Sequence, residues 1–227
     1  MLRDQRKEGQ SCACEILSVT RLKWRTGRRV AANPPSEVIE SFWAWFESIA
    51  AALADDFEQE AIWDRLDEAV SELGEVVWEL GPGSKAEYAL SLSPDGDLDW
   101  LPVTRHIVSC APRLARWEFN AARPPRPWSP TFTVGDLEVD ASSWRYVLLA
   151  FPDGIFDLVL EQGNVSDADD SDRYAAAVVL LDGLLGEETR LSRIQDLVVV
   201  DELEFEHDAK ASKVEHLPFH LQSLLDA

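Results

Sequence analysis

The sequence predicts an α+β fold: a mostly antiparallel sheet with an N-terminal helical hairpin and further helices packed on one side. Three observations predict it. Apolar residues recur at helical spacing between Ser36 and Leu73. Between Val76 and Leu160 they alternate, or form short runs broken by Pro-Asp-Gly turns. A second helical stretch, a β-branched run and a terminal helical stripe then follow up to Leu225. Hairpin strands flanked by helices, without repeated βαβ units, belong to the α+β class.

Each element has a local reason. Ile39, Phe42, Trp43, Phe46, Ile49, Ala50 and Leu53 share one face of a helix from Ser36 to Leu53, with Glu37, Glu40 and Glu47 opposite. Val38 and Trp45 fall on the flank of that face, so the helix is packed on two sides or presents an aromatic edge. Asp56 caps a second helix, with Gln59 in the capping-box position. Ile62, Leu66, Ala69 or Val70, and Leu73 form its stripe, and Gly74 ends it. Val76, Trp78 and Leu80 alternate, then Tyr88, Leu90 and Leu92 do, on either side of Gly81-Pro82-Gly83; that is a hairpin. In Ser93-Pro94-Asp95-Gly96 the proline presets φ and the glycine allows a positive φ, which makes a turn. Thr104–Cys110 reads as a short helix stopped by Pro112, and Arg116–Ala121 as a strand with Trp117, Phe119 and Ala121 inward.

The segment from Arg123 to Pro130 carries Pro124, Pro125, Pro127 and Pro130, and reads as a connector rather than a ligand for a proline-binding groove. Phe132–Val134 and Leu137–Val139 are short strands. Trp144–Phe151 and Ile155–Leu160 pair around Pro152-Asp153-Gly154. Asp167, Asp169, Asp170 and Asp172 open a helix that runs through Ala175–Leu185, where their charge meets the positive end of the dipole; Gly186 ends it. Ile194–Val200 is a strand, and Leu217-Pro218 begin a terminal helix with Leu221, Leu224 and Leu225 apolar. Residues 34–227 show no linker and no internal repeat, so one domain is expected there. Residues 1–33 form a basic extension ending at Asn33-Pro34. Three readings of it stand side by side: a strand around Ile16–Trp24, a partly disordered tail, or a native start further along the chain.

The chain of 227 residues has 21 Lys+Arg against 42 Asp+Glu, a net charge of −21. That charge is unevenly laid out. Residues 1–33 hold eight basic and three acidic residues, or +5, which leaves −26 on the body. Residues 36–80 carry 13 acids and one base, and residues 153–208 carry 16 acids and three bases. Between them, residues 103–130 reverse sign, with Arg105, Arg113, Arg116, Arg123 and Arg126 against Glu118. Two readings of this waist are open: internal pairing with the acidic flanks, or a local anion site, for which the planar guanidinium is suited. An acidic body argues against nucleic acid as a partner, because phosphate contacts need Lys and Arg. Three cysteines, Cys12, Cys14 and Cys110, make no disulfide framework and point to a reducing cytoplasm. No apolar run approaches the ~20 residues of a membrane span, and none follows the basic N-terminus as a signal peptide would require.

Known chemical motifs fail one by one. No phosphate loop, dinucleotide fingerprint or nucleophile elbow is present. Glu215-His216 and His220 lack the order of a zinc-protease helix, and Cys12-x-Cys14 lacks a second ligand pair. Asp167-x-Asp169-x-Ser171 opens like a calcium loop but has Asp172 where the glycine belongs and Val178 where the glutamate belongs, so helix capping explains it better. His106 and Cys110 lie four residues apart, but the apolar setting of Cys110 reads as a buried structural thiol. Glu187 and Glu188 follow a helix end, where the dipole disfavours them. Neither a catalytic residue, a metal ligand nor a cofactor is assigned.

Trp78-Glu79-Leu80-Gly81-Pro82, Leu92-Ser93-Pro94-Asp95-Gly96, Ala111-Pro112, Trp117-Glu118-Phe119 and Arg123-Pro124 together resemble a family of uncharacterised bacterial proteins. Leu180-Leu181-Asp182 and Leu185-Gly186-Glu187 extend the resemblance, which covers roughly residues 36–205. It implies a bacterial cytosolic protein and transfers no activity. The expected function is a non-enzymatic protein-binding module, immunity- or inhibitor-like toward a basic partner, with Trp45, Glu40 and Glu47 at the interface. Acidic fields speed association with cationic partners. The alternative is a small enzyme or small-anion-binding protein. It would use Arg105, His106, Arg116, Glu118, Arg123, Arg126 and Glu187, and requires those groups to converge.

Overall fold

The computed structural model describes residues 19–20, 31–55 and 60–226. The chain is α+β, with mostly antiparallel sheets. Its first half comprises β1 (Val19–Thr20), α1 (Ser36–Asp55), α2 (Glu60–Glu72), β2 (Val77–Pro82), β3 (Tyr88–Ser93), α3 (Leu101–Ser109) and β4 (Trp117–Asn120). The sheet order is β1-β2-β3-β4, with β3 and β4 parallel and the other pairs antiparallel. The second half begins with a ribbon, β5 (Thr131–Val134) and β6 (Leu137–Asp140), followed by β7 (Arg145–Ala150) and β8 (Phe156–Glu161). Then come α4 (Asp170–Leu185), α5 (Glu187–Arg193), β9 (Ile194–Val200), α6 (Phe205–Asp208), β10 (Ser212–Lys213) and α7 (Leu217–Leu225). Its sheet order is β10-β7-β8-β9, with β8 and β9 parallel.

Each half has its own core. In the first, Phe42, Phe46 and Trp43 of α1, Leu66 and Val70 of α2, and Ile107 of α3 bury against Trp78, Leu80, Leu90 and Leu92. Phe46 meets Trp117 edge-on with ring centroids 5.1 Å apart, and Trp43 meets Phe119 at 4.8 Å, in the T-shaped geometry that aromatic quadrupoles favour. In the second, Tyr146, Phe156, Leu158 and Leu160 face Ala176, Ala177, Leu180 and Leu181 of α4 and Leu217 and Leu221 of α7. Residues 34–227 thus hold two buried apolar clusters, one in each half, with a polar seam between them.

The two halves trace the same path. An antiparallel hairpin is followed by a helical crossover to a strand parallel to the hairpin's second strand, and a short edge strand flanks the hairpin's first. The sequence shows neither the repeat nor its two βαβ crossovers. The crossover helices differ too much: α3 has nine residues, whereas α4 has 16 and is followed directly by α5. From β9 at one edge the chain must reach β10 at the other, and residues 201–211 cross the outer face of the sheet to do so. There the Leu203 amide donates to Glu161 Oε1 at 3.3 Å and Asp208 pairs with Arg145 at 2.6 Å.

Several local expectations change. The helix predicted over Thr104–Cys110 begins earlier, at Leu101, because Pro102 sits in its first turn, where a missing N–H costs nothing. Cys110 is exposed rather than buried, since it caps α3 beyond the face formed by Val103 and Ile107. Glu187 and Glu188 follow the end of α4, as expected, but they also open α5, on the favourable side of its dipole. The capping pair Asp56 and Gln59 and the strand reading of Ile16–Trp24, apart from Val19–Thr20, lie outside the described residues.

Candidate functional site

The seam follows from strand alternation. One face of the first sheet, with Trp78, Leu80, Leu90 and Leu92, belongs to the core. The other face carries Glu79, Ser91, Ser93 and Asn120, in register across β2, β3 and β4. Glu79, Ser91 and Ser93 are nonetheless buried, because the waist segment and the α4–α5 corner of the second half cover them. Arg126 donates its backbone N–H to the Gly183 carbonyl at 2.7 Å, and Glu187 donates its own to the Arg123 carbonyl at 2.9 Å.

Glu187 is the centre of this seam and is fully buried. Its Oε1 accepts from Ser93 Oγ at 2.8 Å, from the Gly96 amide at 3.1 Å and from Arg123 Nη1 at 3.4 Å. Its Oε2 accepts from the Arg123 amide at 3.0 Å. A buried carboxylate is tolerated only when it is satisfied in this way. Arg123 also approaches Glu79 and Asp95, each at 3.6 Å, and Arg126 pairs with Glu79. Burial pushes the Asp95 carboxyl up, against the pull of Arg123. Burial likewise raises Asp182, although Arg190 grips it through Nε and Nη2.

The remaining expected residues are scattered. Arg105 reaches from α3 to Glu188 of α5 at 2.5 Å, at the rim of the seam. His106 is exposed on α3. Arg116 lies elsewhere, paired with Asp55 at 2.9 Å and Glu87 at 2.9 Å and standing over the Tyr88 ring at 5.0 Å. Glu118 closes the β2–β3 turn. Burial opposes its charge, but the amides of Ser84, Lys85 and Ala86, at 2.9, 2.6 and 3.1 Å, outweigh it and hold the carboxyl below its usual range. Thus Arg123, Arg126 and Glu187 converge, Arg105 stands nearby, and Arg116 and Glu118 do not join them. The waist arginines with carboxylate partners here are Arg105, Arg116, Arg123 and Arg126. This is the internal pairing that the reversal of charge sign suggested.

On the far side, Glu37, Glu40 and Glu47 of α1 are exposed, and none has a cation within ion-pair distance among the described residues. Trp45 is half-buried on that flank, with the Arg65 guanidinium 5.7 Å from its ring centroid. A cleft of about 400 Å³ opens beside the seam, between Gly96 and Leu98 of the first half and Tyr174, Arg190, Arg193 and Leu197 of the second. Sequence reasoning missed Glu79, Ser93, Asp95, Asp182, Arg190 and Arg193. The one available signal was a charged Glu79 inside an otherwise core-like strand.

Among the described residues no cluster of His, Cys, Asp and Glu is arranged to hold a metal ion, and no helix is long and apolar enough to cross a membrane. The chain matches no family model, no curated protein and no solved structure.

Proposed function

We propose that the protein is a non-enzymatic binding module that engages a basic protein partner through the outer face of α1. The observation that carries this reading is the mismatch in charge pairing. Arg105, Arg116, Arg123, Arg126, Arg145, Arg173 and Arg190 all meet carboxylates within the fold. The acidic surplus of α1, Glu37, Glu40 and Glu47, meets none among the described residues. Such a face accelerates encounter with a cationic surface, and the half-buried Trp45 at its flank supplies the amphipathic anchor that interfaces favour. The charged groups of the seam are committed to one another, which supports a scaffold role for them rather than acid–base chemistry. The resemblance to uncharacterised bacterial proteins adds a cytoplasmic setting and no activity.

The test compares wild type with Glu37→Lys/Glu40→Lys/Glu47→Lys as immobilised bait for proteins of a bacterial lysate. A basic protein retained at low salt, released at high salt and not retained by the triple variant is the expected result. Equal retention by both baits, or no salt-sensitive ligand, overturns the reading.

A further inference from the structure

The cleft beside the seam has a composition at odds with the rest of the molecule. On a chain of net charge −21, its lining includes no carboxylate, and its charged side chains are Arg190 and Arg193. Apolar and aromatic walls complete it: Leu98 and Tyr174 are about half exposed, at 50% and 51%, and Ile155, Leu181 and Leu197 line it further. A volume of about 400 Å³ falls in the range of small-molecule sites, roughly 300–1,000 Å³.

The two arginines are held differently. Arg190 has Nε and Nη2 committed to Asp182, which fixes the guanidinium and leaves the Nη1 edge. Arg193 donates Nη1 to the Gly154 carbonyl at 3.3 Å and meets no carboxylate among the described residues, unlike the seam arginines. Gly96 lies at the mouth with φ +81°, and a Cβ there would make only ordinary contact, 3.8 Å, with Arg190 Nη2. Fixed donors beside an apolar wall are how pockets orient an amphiphilic ligand.

We propose that this cleft binds a small organic anion, a single carboxylate or phosphate head on an apolar body, with the head on Arg193 and Arg190 and the body against Leu98, Tyr174 and Leu197. The Coulomb field of the surrounding acids repels polyanions, so a ligand with one anionic head group rather than several suits the site. This inference is independent of the α1 face and of any protein partner.

Isothermal titration of the full chain with decanoate, decyl phosphate and decanol tests it. Decanoate, decyl phosphate or both bind with one ligand per chain, and decanol binds at least roughly tenfold more weakly; whichever head binds names the source. Arg193→Gln weakens the anion by about tenfold or more, a loss typical of one charge-assisted hydrogen bond. Because Arg193 also touches Gly154, Leu98→Asp serves as a second variant; its exposed position leaves folding intact while placing a carboxylate at the mouth, and it abolishes anion binding. Absence of binding by both anions, equal affinity for decanol, or unchanged affinity in a folded Leu98→Asp overturns the proposal.

Discussion

Glu187 shows how much one buried residue decides. Its four accepted hydrogen bonds come from Ser93, Gly96 and Arg123, all in the first half, although it begins a helix of the second. Glu187→Ala leaves Arg123 and Ser93 facing an empty acceptor and is expected to cost about 3–5 kcal/mol, read as a lowered urea midpoint. Glu161 supplies a pH signature. Arg145 donates Nε and Nη2 to it at 2.5 and 2.8 Å, and this fork, with the Leu203 amide, outweighs burial and holds the carboxyl below its ordinary 4.5. A lowered native value means its stabilisation is complete above the unfolded value and is lost as pH falls through the native one. Wild type therefore loses more stability than Glu161→Gln between about pH 7 and about pH 3, measurable by urea unfolding at each pH. At this scale the sequence offered internal pairing of the waist arginines as one of two readings, and Arg105, Arg116, Arg123 and Arg126 of that set do meet carboxylates. It did not disclose Ser93 or Gly96 as partners of Glu187, because they lie about 90 residues from it and their contacts depend on how two sheets meet.

Among the elements, the glycines of α2 and α4 separate backbone need from mere helix weakness. Gly186 ends α4 at φ +79°, where a Cβ would come within 2.9 Å of Pro125 Cδ. Gly74, after α2, has φ +122°, and a Cβ there would strike the Trp100 ring at 2.5 Å. Gly183 sits inside α4 with nothing within 4 Å of a Cβ. Alanine is thus expected to destabilise at positions 74 and 186 by more than about 1 kcal/mol and to stabilise at position 183 by about 0.5–1 kcal/mol; thermal midpoints of the three variants check it. Strands and helices were largely legible, since period and turn chemistry are local: both Pro-Asp-Gly turns, the two hairpins, and Ile194–Val200 were all read at or near their observed bounds. The errors fell where tertiary context decides. α5 was read as a trailing pair of carboxylates because its seven residues are too few for a periodic stripe. Residues 201–211 carry no pattern that foretells a crossing over the sheet.

At the scale of the whole molecule, two cores are held together by a seam rather than by a third core. Wild type is expected to unfold in one calorimetric transition, and Glu187→Ala, with the seam weakened, in two; a single, merely shifted transition in the variant would show that the halves are coupled by something else. The doubled hairpin–helix–strand path also explains why the fold class was readable while the architecture was not: each half obeys local rules, and their mutual placement rests on long-range charge pairing. A joint of carboxylates and guanidinium groups differs in kind from one of leucines. When it parts, water can rehydrate both faces, so opening exposes little apolar area and aggregation gains no foothold. The prolines from Pro124 to Pro130 then act as a short leash, holding the halves at an effective concentration in the millimolar range. Cleaved within that leash, the two halves should remain associated when concentrated and drift apart on dilution in high salt. An intramolecular joint would thereby become a reversible, ionic heterodimer.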